Sequence, residues 1–126
     1  MNNPEVTMHD RQQSTGFDAL DKAISAAGIA ISLVMRVPAP LKPIADQVIR
    51  AASSVPANIA EGAGRSGRDR LHHWRIAYGS AKEVDTHLRL LIGAGAIDVT
   101  QATTAIRLFD EVRAITWRLL HPDSSR

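Results

Sequence analysis

Five histidines, thirteen carboxylates and a scatter of serines are the residues in this 126-residue chain with catalytic or metal-binding potential. Cysteine is absent, which removes a thiol nucleophile, thiolate metal sites and disulfides. His72 and His73 are adjacent, so on a helix they point about 100° apart and do not chelate one ion. No His-Glu-x-x-His motif and no Glu-x-x-His pair is present. The nearest approach is Glu83 to His87 at i, i+4, which reads as a surface contact. No metal and no cofactor is expected. The candidate nucleophiles Ser53, Ser54 and Ser80 do not sit on a strand-to-helix elbow. Glu83 and Asp85, two residues apart, face different ways. The run from Gly62 to Gly67 superficially resembles a phosphate loop, but it follows a helix and lacks the Gly-Lys-Ser/Thr ending. An enzyme is not expected.

Charge offers more. Arg68, His72, Arg75, Lys82 and Arg89 recur at helical steps, with Gly79 and Thr86 interposed, and make one basic stripe. Arg65 and Arg70 add charge at its start, where Asp69 is the single acid between 65 and 75. Such a stripe can follow a phosphate backbone, or it can be an ordinary solvated face. The stretch before it carries a second stripe, Arg50, Ser54, Asn58 and Glu61, on the side opposite its apolar face. These residues are small or hydrogen-bonding and are flanked by Ala51, Ala57 and Ala60. The stripe either meets another chain, with Arg50 and Glu61 as paired charges, or is buried within the chain around Pro56.

Four helices must position these residues. The first is predicted from about Thr15 to Arg36, with Phe17, Leu20, Ile24, Ala27, Ile31 and Val34 as its seam. Pro38, Pro40 and Pro43 end it. The second spans about Leu41 to Ala63 and buries Leu41, Ile44, Val48, Ala52, Val55 and Ile59. Pro56 lies inside it and should kink it or split it near Ser54. Glycines mark the turn into the third, about Gly67 to Gly93, whose seam is Leu71, Trp74, Tyr78, Ala81, Leu88 and Ile92. The fourth spans about Val99 to Leu120, opened by a capping box of Asp98 and Gln101 and closed by Pro122. Its face is Ala102, Ala105, Phe109, Val112, Ile115 or Thr116, and Leu119. Short connections between four amphipathic helices imply an all-α, antiparallel up-down four-helix bundle over residues 16–121. Residues 1–15 and 122–126 read as tails.

Composition agrees. The length suits one domain, alanine is abundant and aromatics are only 4%. No apolar run could span a membrane, and the polar N-terminal stretch does not resemble a secretory leader, so a cytoplasmic location is expected. The net charge is only +2, too small to argue for nucleic acid by itself, though arginine far outnumbers lysine.

Two motifs carry a family resemblance. Val55-Pro56-Ala57-Asn58-Ile59-Ala60-Glu61-Gly62, preceded by Arg50-Ala51-Ala52-Ser53-Ser54 and followed by Gly64-Arg65-Ser66, is similar to the signature of the 23S rRNA intervening-sequence proteins. Ala77-Tyr78-Gly79-Ser80-Ala81-Lys82-Glu83-Val84 resembles that family's second signature, and Phe17-Asp18-Ala19-Leu20 its opening. His72-His73-Trp74 departs from the pattern, which is richer in Phe and Leu there. The resemblance covers about Phe17 to Leu120. It implies four antiparallel helices, often a homopentamer, and no catalysis. It also implies a role in assembly or motif structure for Arg50, Ser54, Pro56, Asn58, Glu61, Gly62, Gly79, Ser80 and Glu83. Some relatives lie within rRNA-gene insertions, and others assist retroelement reverse transcriptases.

The expectation is thus a non-enzymatic oligomer whose Arg65, Arg68, Arg70, Arg75, Lys82 and Arg89 contact RNA or DNA. The alternative is a structural or protein-partner module without nucleic acid. With one Tyr and two Trp, few stacking platforms are expected, so duplex and single strands should bind alike.

Overall fold

A computed structural model describes residues 8–122, with side chains from Asp18 onward. Four helices make up the fold, and no strand occurs among the described residues. They are α1 (Met8–Val34), α2 (Lys42–Ala63), α3 (Gly67–Gly93) and α4 (Val99–Leu120). A 3-10 turn over Ala39–Leu41 leads into α2. α1 packs on α2 and α4, and α3 packs on the same two helices, so the four close a ring around one core. No helix among the described residues is long and apolar enough to cross a membrane.

The helix ends follow local chemistry. Asp98 accepts the Gln101 backbone N–H at 2.8 Å, satisfying one of the free donors at the start of α4. At the end of α3, Gly95 takes φ 69°. Ala96 N–H then reaches Leu91 C=O at 3.0 Å, and Gly95 N–H reaches Ile92 C=O at 2.9 Å. That pair of bonds closes the helix, and glycine suits it because the left-handed conformation costs it little. α1 starts earlier than the predicted Thr15, at Met8, through polar residues compatible with helix; the first seven residues of the expected tail and the last four of the chain lie outside the described residues. α2 runs unbroken through Pro56, so the proline does not split it.

The core is built mostly of small residues. Ala19, Ala23, Ala26, Ala27, Ala30 and Val34 are buried on α1. Ala27 and Val34 of the predicted seam are inside, but Ile24 is 55% exposed and Leu20 and Ile31 are only half-buried, so the seam is rotated; the Phe17 side chain lies outside the described ones. Alanine lets neighbouring helices approach toward the short end of the ordinary 8–10 Å range, which favours this rotation. α2 buries Val48, Ala52, Val55 and Ile59 as its spacing predicts, while Leu41 and Ile44 of the same face are only half-buried. On α3 the buried line is Ala77, Ala81, Val84, Leu88 and Leu91; Ala81 and Leu88 are as predicted, while Leu71, Trp74, Tyr78 and Ile92 of the predicted seam are only half-buried. α4 buries Ala102, Ala105, Phe109 and Val112 as predicted, together with both Ile115 and Thr116 and the unpredicted Ile106, while Leu119 is half-buried. Thr116, wholly inside, satisfies its hydroxyl by donating to Val112 C=O at 2.6 Å.

Candidate nucleic-acid interface

The junction of α2 and α3 is held by one residue with no side chain. Gly62 is buried, and a Cβ there would lie 2.5 Å from the Trp74 ring. The indole fits against bare backbone and donates Nε1–H to Ile59 C=O at 3.4 Å. Arg70 lies over that ring, 5.4 Å from its centre. Its guanidinium donates to the last carbonyls of α2, Gly62 at 3.1 Å and Ala63 at 3.3 Å. A cation at a helix C-terminus opposes the partial negative charge there. Arg70 is thus occupied as a cap.

A polar network continues along the same interface. Ser80 Oγ donates to Ser54 Oγ at 3.0 Å. Asn58 Nδ2 donates to Ser54 Oγ at 3.0 Å and to Ser54 C=O at 2.9 Å. Asn58 Oδ1 accepts from His73 Nδ1 at 2.9 Å, the direction that leaves both partners satisfied. Ser54 and Asn58 therefore face α3 and not the far side of α2. Helical spacing explains the difference from the sequence reading. At about 100° per residue, Asn58 lies on the flank of the apolar face beside Ala51 and Gly62. Arg50 and Glu61 sit farther round and are exposed. Glu61 pairs not with Arg50 but with Arg65, at 2.8 Å.

The arginines divide by their neighbours. Arg65 lies between Glu61 and Asp69, the latter at 2.6 Å. Hydrogen bonds to Asp69 and then to Glu61 raise its pKa further above the ordinary guanidinium range. In return the hydrogen bond from Arg65 holds the Asp69 carboxyl below its usual value, with desolvation opposing. Arg89 is bound to Asp85 at 2.6 Å. So Arg65, Arg70 and Arg89, three of the six basic candidates, already have partners. Arg68 and Arg75 are exposed and meet no carboxylate among the described residues. Lys82 is exposed and lies over the Tyr78 ring at 5.9 Å. Arg68, Arg75, Lys82 and Arg89 are spaced by sevens, so they share the outer face of α3, away from Val84 and Leu88. Gly79, with open space where a Cβ would stand, interrupts that face with bare backbone.

A second basic region is absent from the sequence reading. Tyr78 and Lys82 of α3, with Asp110, Arg113, Ala114, Trp117 and Arg118 of α4, line an open groove of about 660 Å³. No periodicity within one helix points to it, because its two walls are 28 or more residues apart; only the Trp–Arg pair at 117–118 was a signal.

The predicted acid–histidine contact is of a different kind. His87 Nδ1 donates to the Glu83 backbone carbonyl at 2.8 Å, leaving the Glu83 carboxylate exposed. His72 and His73 meet edge to face at 5.5 Å, one outward and one toward Asn58. Among the described residues no group of three His, Asp or Glu side chains is arranged to hold a metal ion.

Comparison with known proteins bears on the fold. The family model described as 23S rRNA-intervening sequence protein matches residues 18–118. Among solved structures, a protein of unknown function from the S23 ribosomal protein family of Bacteroides thetaiotaomicron VPI-5482 superposes with a TM-score of 0.75. It is 23% identical, and the match covers 84% of this chain and 97% of that one. No curated protein matches.

Proposed function

This chain belongs to the 23S rRNA-intervening sequence protein family, and from that premise we propose that it is a non-enzymatic, oligomeric helical protein that binds RNA or DNA by charge. In this reading the four helices run antiparallel, up and down, with α2 bent at Pro56, and the protein works in the cytoplasm. The observation that carries the binding is the pair Arg68 and Arg75. They stand exposed on one helix face, about 10.5 Å apart along the axis, with no carboxylate among the described residues paired to them. Lys82 extends the row.

The oligomer is supported by what α1 leaves uncovered. Ile24, Gly28, Ile31 and Met35 fall on one stripe, with Ile24 55% and Met35 69% exposed. Apolar side chains aligned on an outer face are what a second copy would cover. Five copies of +2 would give about +10 on one particle, enough to steer polyanions.

Filter binding across a salt series tests the reading. Phosphate contacts make affinity fall steeply with salt, each contributing about 0.7–0.9 to the slope of log K on log salt. Arg68→Ala with Arg75→Ala should lower that slope by about two per engaged subunit. Alanine favours helix, so helix content should hold. No retention of RNA or DNA at about 50 mM salt would remove the nucleic-acid role and leave a protein-partner module. Light scattering that finds only a 13.6 kDa monomer at micromolar concentration would remove the oligomer.

A further inference from the structure

We propose that the groove between α3 and α4 seats an unpaired nucleotide, with Trp117 as the stacking surface and Lys82 and Arg118 as phosphate contacts. This rests on the nucleic-acid reading above and specifies which form of nucleic acid is held best. Two observations carry it: an aromatic surface and an uncompensated positive charge in the same groove.

Trp117 is 42% exposed and lines the groove. It is also braced. His121 stacks on it with ring centres 4.3 Å apart and planes 26° from parallel. His121 is itself fixed, because its Nδ1 donates to the Trp117 backbone carbonyl at 2.9 Å. An indole held by a second ring has already lost the freedom that stacking on a base would otherwise cost. On the opposite wall Tyr78 lies under the Lys82 ammonium. Ala114 leaves the space between the walls open.

The charge balance favours an anion. The groove's acid, Asp110, is bound by Arg113, which also reaches Asp85 at 3.5 Å. Asp85 is engaged a second time by Arg89. Lys82 and Arg118 meet no carboxylate among the described residues, so the groove keeps two free cations. Lys82 is also the third residue of the Arg68–Arg75 row, so a backbone tracked along α3 is led to the groove. A base inside a duplex has both faces covered by its neighbours. Only an unpaired one can offer a face to the indole, and any base has such a face. The site therefore selects single strands and tolerates sequence. This departs from the equal binding of duplex and single strands that the aromatic count alone suggests.

The test uses the full chain, a ten-nucleotide oligouridylate, an RNA duplex of equal length, and polyglutamate as an acidic-protein control. Oligouridylate should quench tryptophan emission in the wild type, and Trp117→Phe should remove that change, since Trp74 is packed against Gly62 and does not line the groove. Trp117→Ala should weaken oligouridylate binding about tenfold while duplex affinity moves less than about twofold, the unchanged duplex binding showing that the fold is intact. Lys82→Gln with Arg118→Gln should weaken the single strand more than the duplex. Equal affinity of Trp117→Ala and wild type for oligouridylate overturns the inference and leaves the arginine row standing. Quenching by polyglutamate as strong as by RNA overturns it in favour of an acidic protein partner. Failure of every nucleic acid to bind at about 50 mM salt overturns the parent reading and this one together.

Discussion

Adding one methyl group at two glycines should move stability in opposite directions. In a helix interior Gly→Ala gains about 0.8–1.0 kcal/mol from backbone entropy and helix preference. At Gly79 the new Cβ meets nothing within 4 Å. Gly79→Ala should therefore stabilise by about 1 kcal/mol, a rise of about 3–5 °C in melting temperature for a domain of this size. At Gly62 the same Cβ would stand 2.5 Å from both Trp74 Cδ1 and Nε1, and 3.1 Å from the Arg70 carbonyl. Ordinary carbon contacts are about 3.5–4.0 Å, so the indole must shift by about 1 Å or more. It then gives up the Nε1–H bond to Ile59, worth about 1 kcal/mol, and the Arg70 contact, worth about 0.5–1 kcal/mol at such a site. Overpacking adds about 1–3 kcal/mol. Against the propensity gain, Gly62→Ala should destabilise by about 1.5–4 kcal/mol. Urea unfolding of both variants measures this, and a cycle with Trp74→Ala isolates the cause. In the Trp74→Ala background the obstacle is gone, and Gly62→Ala should become neutral or stabilising. A Gly62→Ala protein as stable as Gly79→Ala, or an unchanged effect without Trp74, would refute the close approach as the reason for this glycine.

Asn58→Ala should cost about 1–3 kcal/mol in urea unfolding, because it strands the His73 Nδ1–H and removes two bonds to Ser54 in a half-buried interface. Glu61→Ala should change the melting temperature little, since its pair with Arg65 is about half exposed and solvent-screened; a fall of many degrees would mean Glu61 is covered in the assembled protein. The Asp69 carboxyl sits below its unfolded value, so its stabilisation is complete above about pH 4 and is lost as pH falls through the lowered folded value. Melting curves from pH 6 to pH 2 should show a smaller acid loss for Asp69→Asn than for wild type, and the difference should shrink in 1 M salt; equal acid slopes would show that the pair is solvated in solution.

Much of this protein is legible one residue at a time. Proline at 38, 40 and 43, glycine at 62 to 67 and at 93 and 95, and the Asp98 cap mark where helices must stop and start, because they act on their own backbone. The observed limits of α2, α3 and α4 follow them closely. The apolar face of α4 is nearly as plain, with only its edges at Ile106 and at Ile115 or Thr116 left open by the spacing. The ion pairs Arg65–Glu61, Arg65–Asp69 and Arg89–Asp85 are also four-residue neighbours, so their occupancy is a property of sequence that a count of basic residues conceals. Tertiary structure decides what depends on rotation about a helix axis. α1 holds an alanine stripe and an isoleucine stripe roughly a quarter-turn apart, and only the partner helices choose the alanines for the interior. The same choice turns Ser54 and Asn58 toward Ser80 and His73. It also brings Lys82 and Trp117, 35 positions apart in the chain, into one groove. No local pattern encodes that meeting, because it is set by the angle at which two helices pack.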